Sequence, residues 1–229
     1  IKGVLRGESV GFEQAFRHLS PSGDREPTLT VRELANSYQA WEVLTEAYRE
    51  NFPKASFNDF FWSWRYAFLP LFKLCLAEVP KARLYHTVTT GWSGLMAAVA
   101  SMRYRTPFIT TEHGLYVNER RIEISQADWI FVDAPRRGAL EIGLGTFKEL
   151  WINLFLSLGK LCYQQTDRIY TLFEGNLRKE VEFGAPEEKI EIIPNGVDVE
   201  RFSTHTERAL PKDPSKFRVG LVGRVVPIK

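Results

Sequence analysis

Strand-length segments alternate with helical patterns from residue 82 onward, and this alternation limits the fold more than any other feature of the chain. Strands are predicted at 83–88, 107–111, 168–172 and 190–193, and helices at 91–102, 147–162 and 174–183. Residues 129–132 fit either a short strand or a buried turn. Such alternation is typical of a parallel sheet, because a helix usually makes the crossover between parallel strands. We therefore predict an α/β fold, with a Rossmann-like parallel sheet and helices on both of its faces.

Additional helices are predicted before the alternation, at 8–20, 29–50 and 57–72. The third carries an apolar stripe at helical spacing, formed by Phe57, Phe60, Phe61, Trp64, Phe68, Leu71 and Phe72. Aromatic faces can stack on sugar rings, but this spacing is typical of a core-facing stripe. The helix at 147–162 has a similar apolar face, and Lys148 and Lys160 are too few cations for a membrane-surface helix. We expect both apolar faces to lie in the core.

Composition excludes several classes of function. The formal net charge is only +2, from 30 basic and 28 acidic side chains, so no bulk attraction to nucleic acid or anionic lipid is expected. The two cysteines, Cys75 and Cys162, lie in apolar helical stretches and fit buried thiols in a reducing compartment better than a disulfide. The chain begins at Ile1 without a signal segment, and it lacks an uncharged run of about 18 apolar residues. These features predict a soluble cytoplasmic protein.

The segment 183–202 is the most specific in the chain. Gly184 is placed to end the preceding helix, Pro186 keeps it from restarting, and a strand leads to the turn Pro194-Asn195-Gly196. Asn-Gly is also a strong hairpin signal. The residues that follow are too charged and polar for a pairing strand, so a hairpin is disfavoured. The polar stretch 203–216 is typical of a linker, and a further strand is predicted at 217–222.

These residues carry a family resemblance. The segment GAPEEKIEIIPNGVDVERF is similar to the interdomain signature of the family-4 glycosyltransferases, and FRVGLVGRVVPIK resembles the first strand and phosphate loop of their second domain. The resemblance implies a GT-B fold, in which two Rossmann-like domains face each other. It assigns 1–202 to the N-terminal, acceptor-side domain, 203–216 to the linker, and 217–229 to the start of a truncated nucleotide-sugar-binding domain.

Three residues near the end of the chain are candidates for binding the donor. Gly223, Arg224 and Lys229 follow a predicted parallel strand, at the edge where such sheets bind ligands. Arginine offers a fork for phosphate oxygens and lysine a point charge, although two isolated loop cations would usually be solvated. In the resembled family the matching arginine and lysine hold the diphosphate of the nucleotide sugar.

A second group of candidates ends the predicted strands at 107–111 and 83–88. Glu112 and His113 are candidate catalytic residues, because a histidine of related enzymes faces the sugar from the end of such a strand. Gly114 would allow close approach of the backbone. His86 and Arg120 are possible acceptor contacts, and 116–121 is interpreted as a mobile acceptor-side loop. For a lone histidine such as His86, a structural role fits equally well.

Motifs that the sequence lacks also narrow the range of possible chemistry. The sequence has no Asp-x-Asp motif, no His or Cys spacing for a metal, no Walker loop and no G-x-G-x-x-G. Metal-independent chemistry without a cofactor is therefore expected. The family's N-terminal glycine-rich loop and its C-terminal Glu-x7-Glu region are both missing, which the resemblance attributes to truncation. We expect the 229-residue chain alone to be inactive.

For the full-length parent, the resemblance implies a retaining hexosyltransferase. It would transfer a glucose-type sugar from UDP-glucose to a growing exopolysaccharide, beside a membrane-associated synthase complex. One alternative is a non-catalytic, nucleotide-binding subunit of that complex. Another is a different GT-B enzyme, such as an epimerase or a phosphorylase, which the Pro-Asn-Gly-Val-Asp signature disfavours.

Overall fold

A computed structural model describes residues 2–9, 11–12, 16, 29–128, 130, 146–203, 215–217, 219–220 and 222–223. The chain divides into two units between Pro194 and Asn195. The described helices and strands of the first unit are α1 (Lys2–Leu5), α2 (Val31–Asn36), α3 (Tyr38–Asn51), α4 (Phe57–Cys75), β1 (Tyr85–Thr87), α5 (Gly91–Tyr104), β2 (Phe108–Glu112), α6 (Tyr116–Gln126), α7 (Thr146–Gln165), β3 (Arg168–Thr171), α8 (Glu174–Glu182), a 3-10 turn (Glu187–Lys189) and β4 (Ile190–Ile192). The domain limits expected at 202 and 216 stay predictions.

The four strands form one parallel sheet in the order β1-β2-β3-β4. Thr110 of β2 lies opposite Ile169 of β3, and Thr171 of β3 lies opposite Ile192 of β4. This arrangement confirms the predicted α/β class and is consistent with a Rossmann-like fold. All four predicted strands of the first unit are found, each within a few residues of its predicted limits.

The prediction of helices on both faces is not met by the described residues. Side chains of α7 and α8 meet the face that carries Thr110, Glu112 and Thr171, and Phe108 on that face packs with Ala98 of α5 and Cys162 of α7. The strands lie in the sheet in the same order as they occur along the chain. When every crossover between neighbouring parallel strands is right-handed, this order places the connecting helices on the same face of the sheet.

The core lies between α4, α5 and α7. Phe60 and Phe68 of α4 are 0% and 1% exposed, and Phe147 and Leu154 of α7 are each 1% exposed. The aromatic stripe and the apolar face of the 147–162 helix are therefore core surfaces, as predicted. Cys75 and Cys162 are free thiols within this interior. Burial raises the pKa of each thiol to about 12, which suits the predicted role of small buried hydrophobes.

The helix predicted at 29–50 is two helices. Ser37 separates them with an extended backbone, φ −72° and ψ 163°. Its N–H bonds to the carbonyl of Glu33 and ends α2, and its hydroxyl accepts the N–H of Ala40 and begins α3. Because Ser37 caps the unpaired backbone N–H groups at the start of α3, this arrangement is more favourable than continuing α2 through Ser37. Of the helix predicted at 8–20, most lies outside the described residues; Phe12 and Phe16 are helical, whereas Glu8 and Ser9 are not.

Gly184 ends α8 as predicted, with φ +98°. Its N–H bonds to Val181 and that of Ala185 bonds to Glu180, each at 2.9 Å, which is the bond pattern of a glycine-terminated helix. In the second unit, Val199–Ser203 form a short helix, α9, and no described residue after 196 forms a strand that could make the disfavoured hairpin. None of the described helices has both the length and the apolar character needed to cross a membrane.

Candidate functional site

The carboxyl edge of the sheet gathers the ends of all four strands. Because the strands are parallel, the segments after β1, β2 and β3 turn at this edge into the first residues of α5, α6 and α8. Thr87 shapes the first of these turns, since its hydroxyl bonds to the carbonyl of Thr89 at 2.8 Å. Open parallel sheets bind their ligands along this edge. It is therefore the candidate site of the first unit.

His113 and Gly114 form the turn between β2 and α6, and both are exposed at this edge. Gly114 is closely approached by α6, because a Cβ on it would lie 2.5 Å from Oε1 of Glu119. A larger residue there would displace the Glu119 side chain. The structure thus presents His113 on an exposed turn, where the only close approach to Gly114 among the described residues is the flexible end of the Glu119 side chain.

Glu112 lies beside His113 in sequence, but its side chain is fully buried. Its Oε2 accepts a 2.5 Å hydrogen bond from the Tyr163 hydroxyl, and its Oε1 accepts a 3.3 Å bond from Thr90. Burial raises the pKa of Glu112, while hydrogen bonds from Tyr163, Tyr116 and Thr90 oppose that rise. A carboxyl so enclosed does not reach a ligand at the edge of the sheet.

His86 lies on the opposite face of the sheet from Glu112. Its Nε2 is 2.9 Å from the Thr111 hydroxyl, and Thr111 and Glu112 point to opposite faces because they are neighbours on one strand. The structure therefore brings His86 next to β2 but not to the Glu112 carboxyl. It is exposed, and Thr111 orients its ring.

Arg120 lies on α6 and is half-buried. It forms an ion pair with Glu123 at 2.5 Å, and its guanidinium lies 5.1 Å from the centre of the Tyr116 ring. The prediction of a mobile loop at 116–121 is wrong, since these residues form the first turns of α6. Val117 in this segment is 2% exposed and anchors the helix to the core. Tyr116 likewise packs edge-on against Phe155 of α7.

The candidate donor-binding residues belong to the second unit. Gly223 is exposed, and among the described residues no atom lies within 4 Å of the position that a Cβ on it would occupy; Arg224 and Lys229 lie outside the described residues. The strand predicted at 217–222 is not found in the described part of that segment. Phe217, Val219 and Val222 are 95%, 82% and 101% exposed there. A strand forms only beside a partner, and no described strand pairs with this segment.

Sequence reasoning missed a set of buried polar residues beneath the carboxyl edge: Thr90, Tyr163, Thr171, Asn176 and Glu180. Burial raises the pKa of Glu180 to about 7, and the neighbouring Glu112 charge adds to the rise. The nearby Thr171 hydroxyl partly offsets this rise in pKa, although it does not form a hydrogen bond of acceptable geometry with the Glu180 carboxyl. The one available sequence signal was a glutamate and a tyrosine at core-facing positions of α8 and α7.

Taken together, the parallel sheet and its helices make the first unit an α/β domain consistent with a Rossmann-like fold, with its candidate site at the carboxyl edge. The chain belongs to the family described as "Domain of unknown function (DUF3492)", which matches residues 4–188. This domain is typically found in glycosyltransferase-like proteins. No curated protein matches the chain significantly, and no solved structure does so.

Proposed function

We propose that this chain is part of a GT-B glycosyltransferase of family 4, in which it supplies the acceptor-side domain. The observation that carries the proposal is the Glu112-His113-Gly114 turn, which presents an exposed histidine at the carboxyl edge of a parallel sheet. Membership of a family found in glycosyltransferase-like proteins supports the same class. The segment 184–202, which contains β4 and resembles the interdomain signature of that family, supports it as well.

The particular activity that we infer is that of the Pel exopolysaccharide system. The segments TEHGLYVNERRIEISQADW, LFEGNLRKEVEFGAP and VGRVVPIK are similar to the cytoplasmic glycosyltransferase of that system, PelF. The donor would be UDP-glucose and the acceptor a growing exopolysaccharide. The enzyme would work in the cytoplasm, held at the inner membrane by a synthase complex.

The chemistry that this proposal requires has two parts. A departing diphosphate needs preorganised positive charge, which Arg224 and Lys229 would supply. Positive charge that develops on the sugar ring needs an oriented acceptor side, to which His113 and the backbone of Gly114 would contribute. Closure of the two domains would exclude water from the cleft. No protein nucleophile and no metal ion enters this scheme.

Calorimetric titration of the full-length parent tests the proposal. UDP, UDP-glucose, UDP-N-acetylglucosamine and GDP-mannose are titrated into the unaltered protein and into Arg224→Ala and Lys229→Ala. Each substitution should weaken UDP binding by about 1.5–3 kcal/mol, the usual worth of a hydrogen bond to a charged group. Exposed cations of the first unit, Arg178→Ala and Lys54→Ala, serve as matched controls and should leave binding unchanged.

Absence of nucleotide binding, or binding that is indifferent to both substitutions, would contradict the proposal. Labelled donor distinguishes the remaining alternatives. An epimerase would release a new free nucleotide sugar without acceptor, whereas a transferase would label the polymer. Polymer synthesis that survives Arg224→Ala would favour the non-catalytic subunit. The apolar faces of α4 and α7 are core surfaces, so such a subunit would need to dock onto the complex through a different surface.

A further inference from the structure

One buried carboxyl group joins β2, α7 and the start of α5 at the carboxyl edge. Glu112 is the last residue of β2, and its two oxygens accept hydrogen bonds from Tyr163 of α7 and from Thr90, the residue before α5. The backbone N–H groups of Thr90 and of Tyr116, the first residue of α6, favour the charged form of this carboxyl and oppose the rise of its pKa. The end of β2 and the start of α5 are therefore held together by one group, which the Tyr163 hydroxyl of α7 orients.

The carboxylate has no access to a ligand. Glu112, Tyr163 and Thr90 are each 0% exposed, whereas the next residue, His113, is exposed. Any effect of Glu112 on a bound sugar therefore passes through the backbone of the His113-Gly114 turn. The described arrangement therefore gives no contact through which the Glu112 carboxyl would act on a ligand, and its catalytic role stays a prediction.

The first turn of α6 has little freedom to settle elsewhere. Val117 seats against Gly159 of α7, where a Cβ would lie 2.5 Å from its Cγ2, and the Tyr116 ring covers Gly91 in the same way. Close packing of this kind fixes the position of the helix, but it does not fix the turn before it. The oriented bonds to Glu112 supply that missing constraint.

A merely space-filling role would be served better by an apolar side chain. Burying a carboxyl carries a desolvation cost that an apolar residue avoids, and only well-directed donors offset it. Here, the hydroxyls of Tyr163 and Thr90, from α7 and from the residue before α5, converge on the two oxygens of one side chain. Buried polar networks of this kind specify a single arrangement of the elements that they connect.

We propose that Glu112 is a positioning residue, whose buried carboxyl group, held by the Tyr163 hydroxyl, fixes the His113-Gly114 turn in the geometry that sugar transfer requires. The link to sugar transfer rests on the proposed function. The positioning itself does not, and it is measurable without a substrate.

The test compares four variants of the full-length protein: Glu112→Gln, Glu112→Ala, Tyr163→Phe and Tyr170→Phe. Glutamine keeps the size and an acceptor for Tyr163, alanine removes both, and Tyr163→Phe removes the orienting hydroxyl. Tyr170→Phe is the matched control, because Tyr170 is a half-buried tyrosine of β3 without contact to Glu112 in the described hydrogen bonds. Each variant is measured for hydrogen exchange at the amides of 114–119, for kcat and for KM.

We expect Glu112→Ala and Tyr163→Phe to speed exchange at these amides and to lower kcat, by about 100-fold for a displacement of about 1 Å. Donor KM should change little, and Glu112→Gln should retain kcat within a few-fold. Loss of kcat in Glu112→Gln equal to that in Glu112→Ala, with unchanged exchange, would show a catalytic carboxyl and overturn the proposal. Unchanged exchange in both Glu112→Ala and Tyr163→Phe would overturn it as well.

The experiment also remains decisive if a variant does not fold or if the unaltered protein has no activity. If Glu112→Ala does not fold, Tyr163→Phe and Glu112→Gln still decide, because each removes less than the whole side chain. If the unaltered protein turns over no nucleotide sugar, the proposed function fails. The exchange measurement then still decides whether Glu112 positions the turn.

Discussion

At the scale of single residues, Glu180 is the most unusual group in the described part of the chain. It is fully buried on α8, and neither of its carboxylate oxygens has a hydrogen-bond partner there. Burial raises its pKa to about 7. The folded protein therefore keeps a proton on Glu180 at pH values where the unfolded chain has lost it. The stability that this provides is complete below about pH 4.5, declines as pH rises, and is lost above about pH 7.

Glu180→Gln should remove this part of the pH dependence, because glutamine stays neutral throughout. Between pH 5 and 8 we expect the Tm of the unaltered chain to fall further than that of the variant, by on the order of 5 °C. Thermal unfolding followed by circular dichroism at several pH values measures the difference. The variant should keep a residual slope of Tm against pH, because burial also raises the pKa of Glu112.

Glu182→Gln is the control for this prediction. Glu182 lies on the same helix, is exposed, and pairs with Lys179 at 2.6 Å, an interaction that lowers its pKa. Its substitution should leave the slope of Tm against pH nearly unchanged. Equal slopes for Glu180→Gln and the unaltered chain would contradict a protonated buried Glu180.

At the scale of elements, α5 and α6 meet through a glycine. Gly91 begins α5 with φ +74°, and a Cβ on it would overlap the Tyr116 ring at the start of α6. The same ring packs against Phe155 of α7, so it cannot move away freely. The joint between these helices therefore depends on both the backbone conformation and the missing side chain of Gly91.

Gly91→Ala should cost about 2–5 kcal/mol of unfolding free energy, from left-handed strain and overpacking together. Gly11→Ala is a matched control, because Gly11 has φ +81° and, among the described residues, no atom lies within 4 Å of the position that a Cβ would occupy. It should cost only the strain, about 1–2 kcal/mol. Urea unfolding measures both. Equal losses would show that the Tyr116 ring does not limit the joint.

At the scale of the whole first unit, the beginning of the chain is fastened to α7. Asn153 donates to the carbonyl of Leu5 at 2.9 Å, Ser157 to that of Val4 at 3.3 Å, and Lys160 to that of Gly7 at 2.9 Å. These bonds connect positions about 150 residues apart in sequence, as the separations of 148 and 153 show. They make α1 part of the same folded unit as the sheet.

Asn153→Ala should loosen this attachment, because it leaves the Leu5 carbonyl without its partner, at a cost of about 1–3 kcal/mol. We expect faster hydrogen exchange at the amides of 6–8, whose local bonds depend on that segment staying in place. Asn51→Ala is the control, since Asn51 bonds within its own helix to Ala47. Unchanged exchange at 6–8 in Asn153→Ala would contradict the attachment.

Local patterns were sufficient for much of the first unit. The positions of β1 to β4, the core stripe of α4 and the glycine that ends α8 follow from periodicity and from backbone chemistry of single residues. The break between α2 and α3 at Ser37 also depends on local sequence. It was missed because the apolar repeat continues across Ser37 and resembles that of a single helix. The exposed His113 at the end of β2 was also predictable, because it follows a strand in a parallel sheet.

The sequence by itself determined where strands and helices occur along the chain, since their formation depends largely on residues that are near neighbours in the chain. Only the tertiary structure decided the burial and the partners of the candidate residues. Glu112 and His113 are adjacent, yet one is enclosed by Tyr163 and Thr90 and the other is exposed. His86 was likewise separated from Glu112 by the two faces of the sheet. Burial and partner choice depend on residues distant in sequence, and no local pattern records which of them will meet.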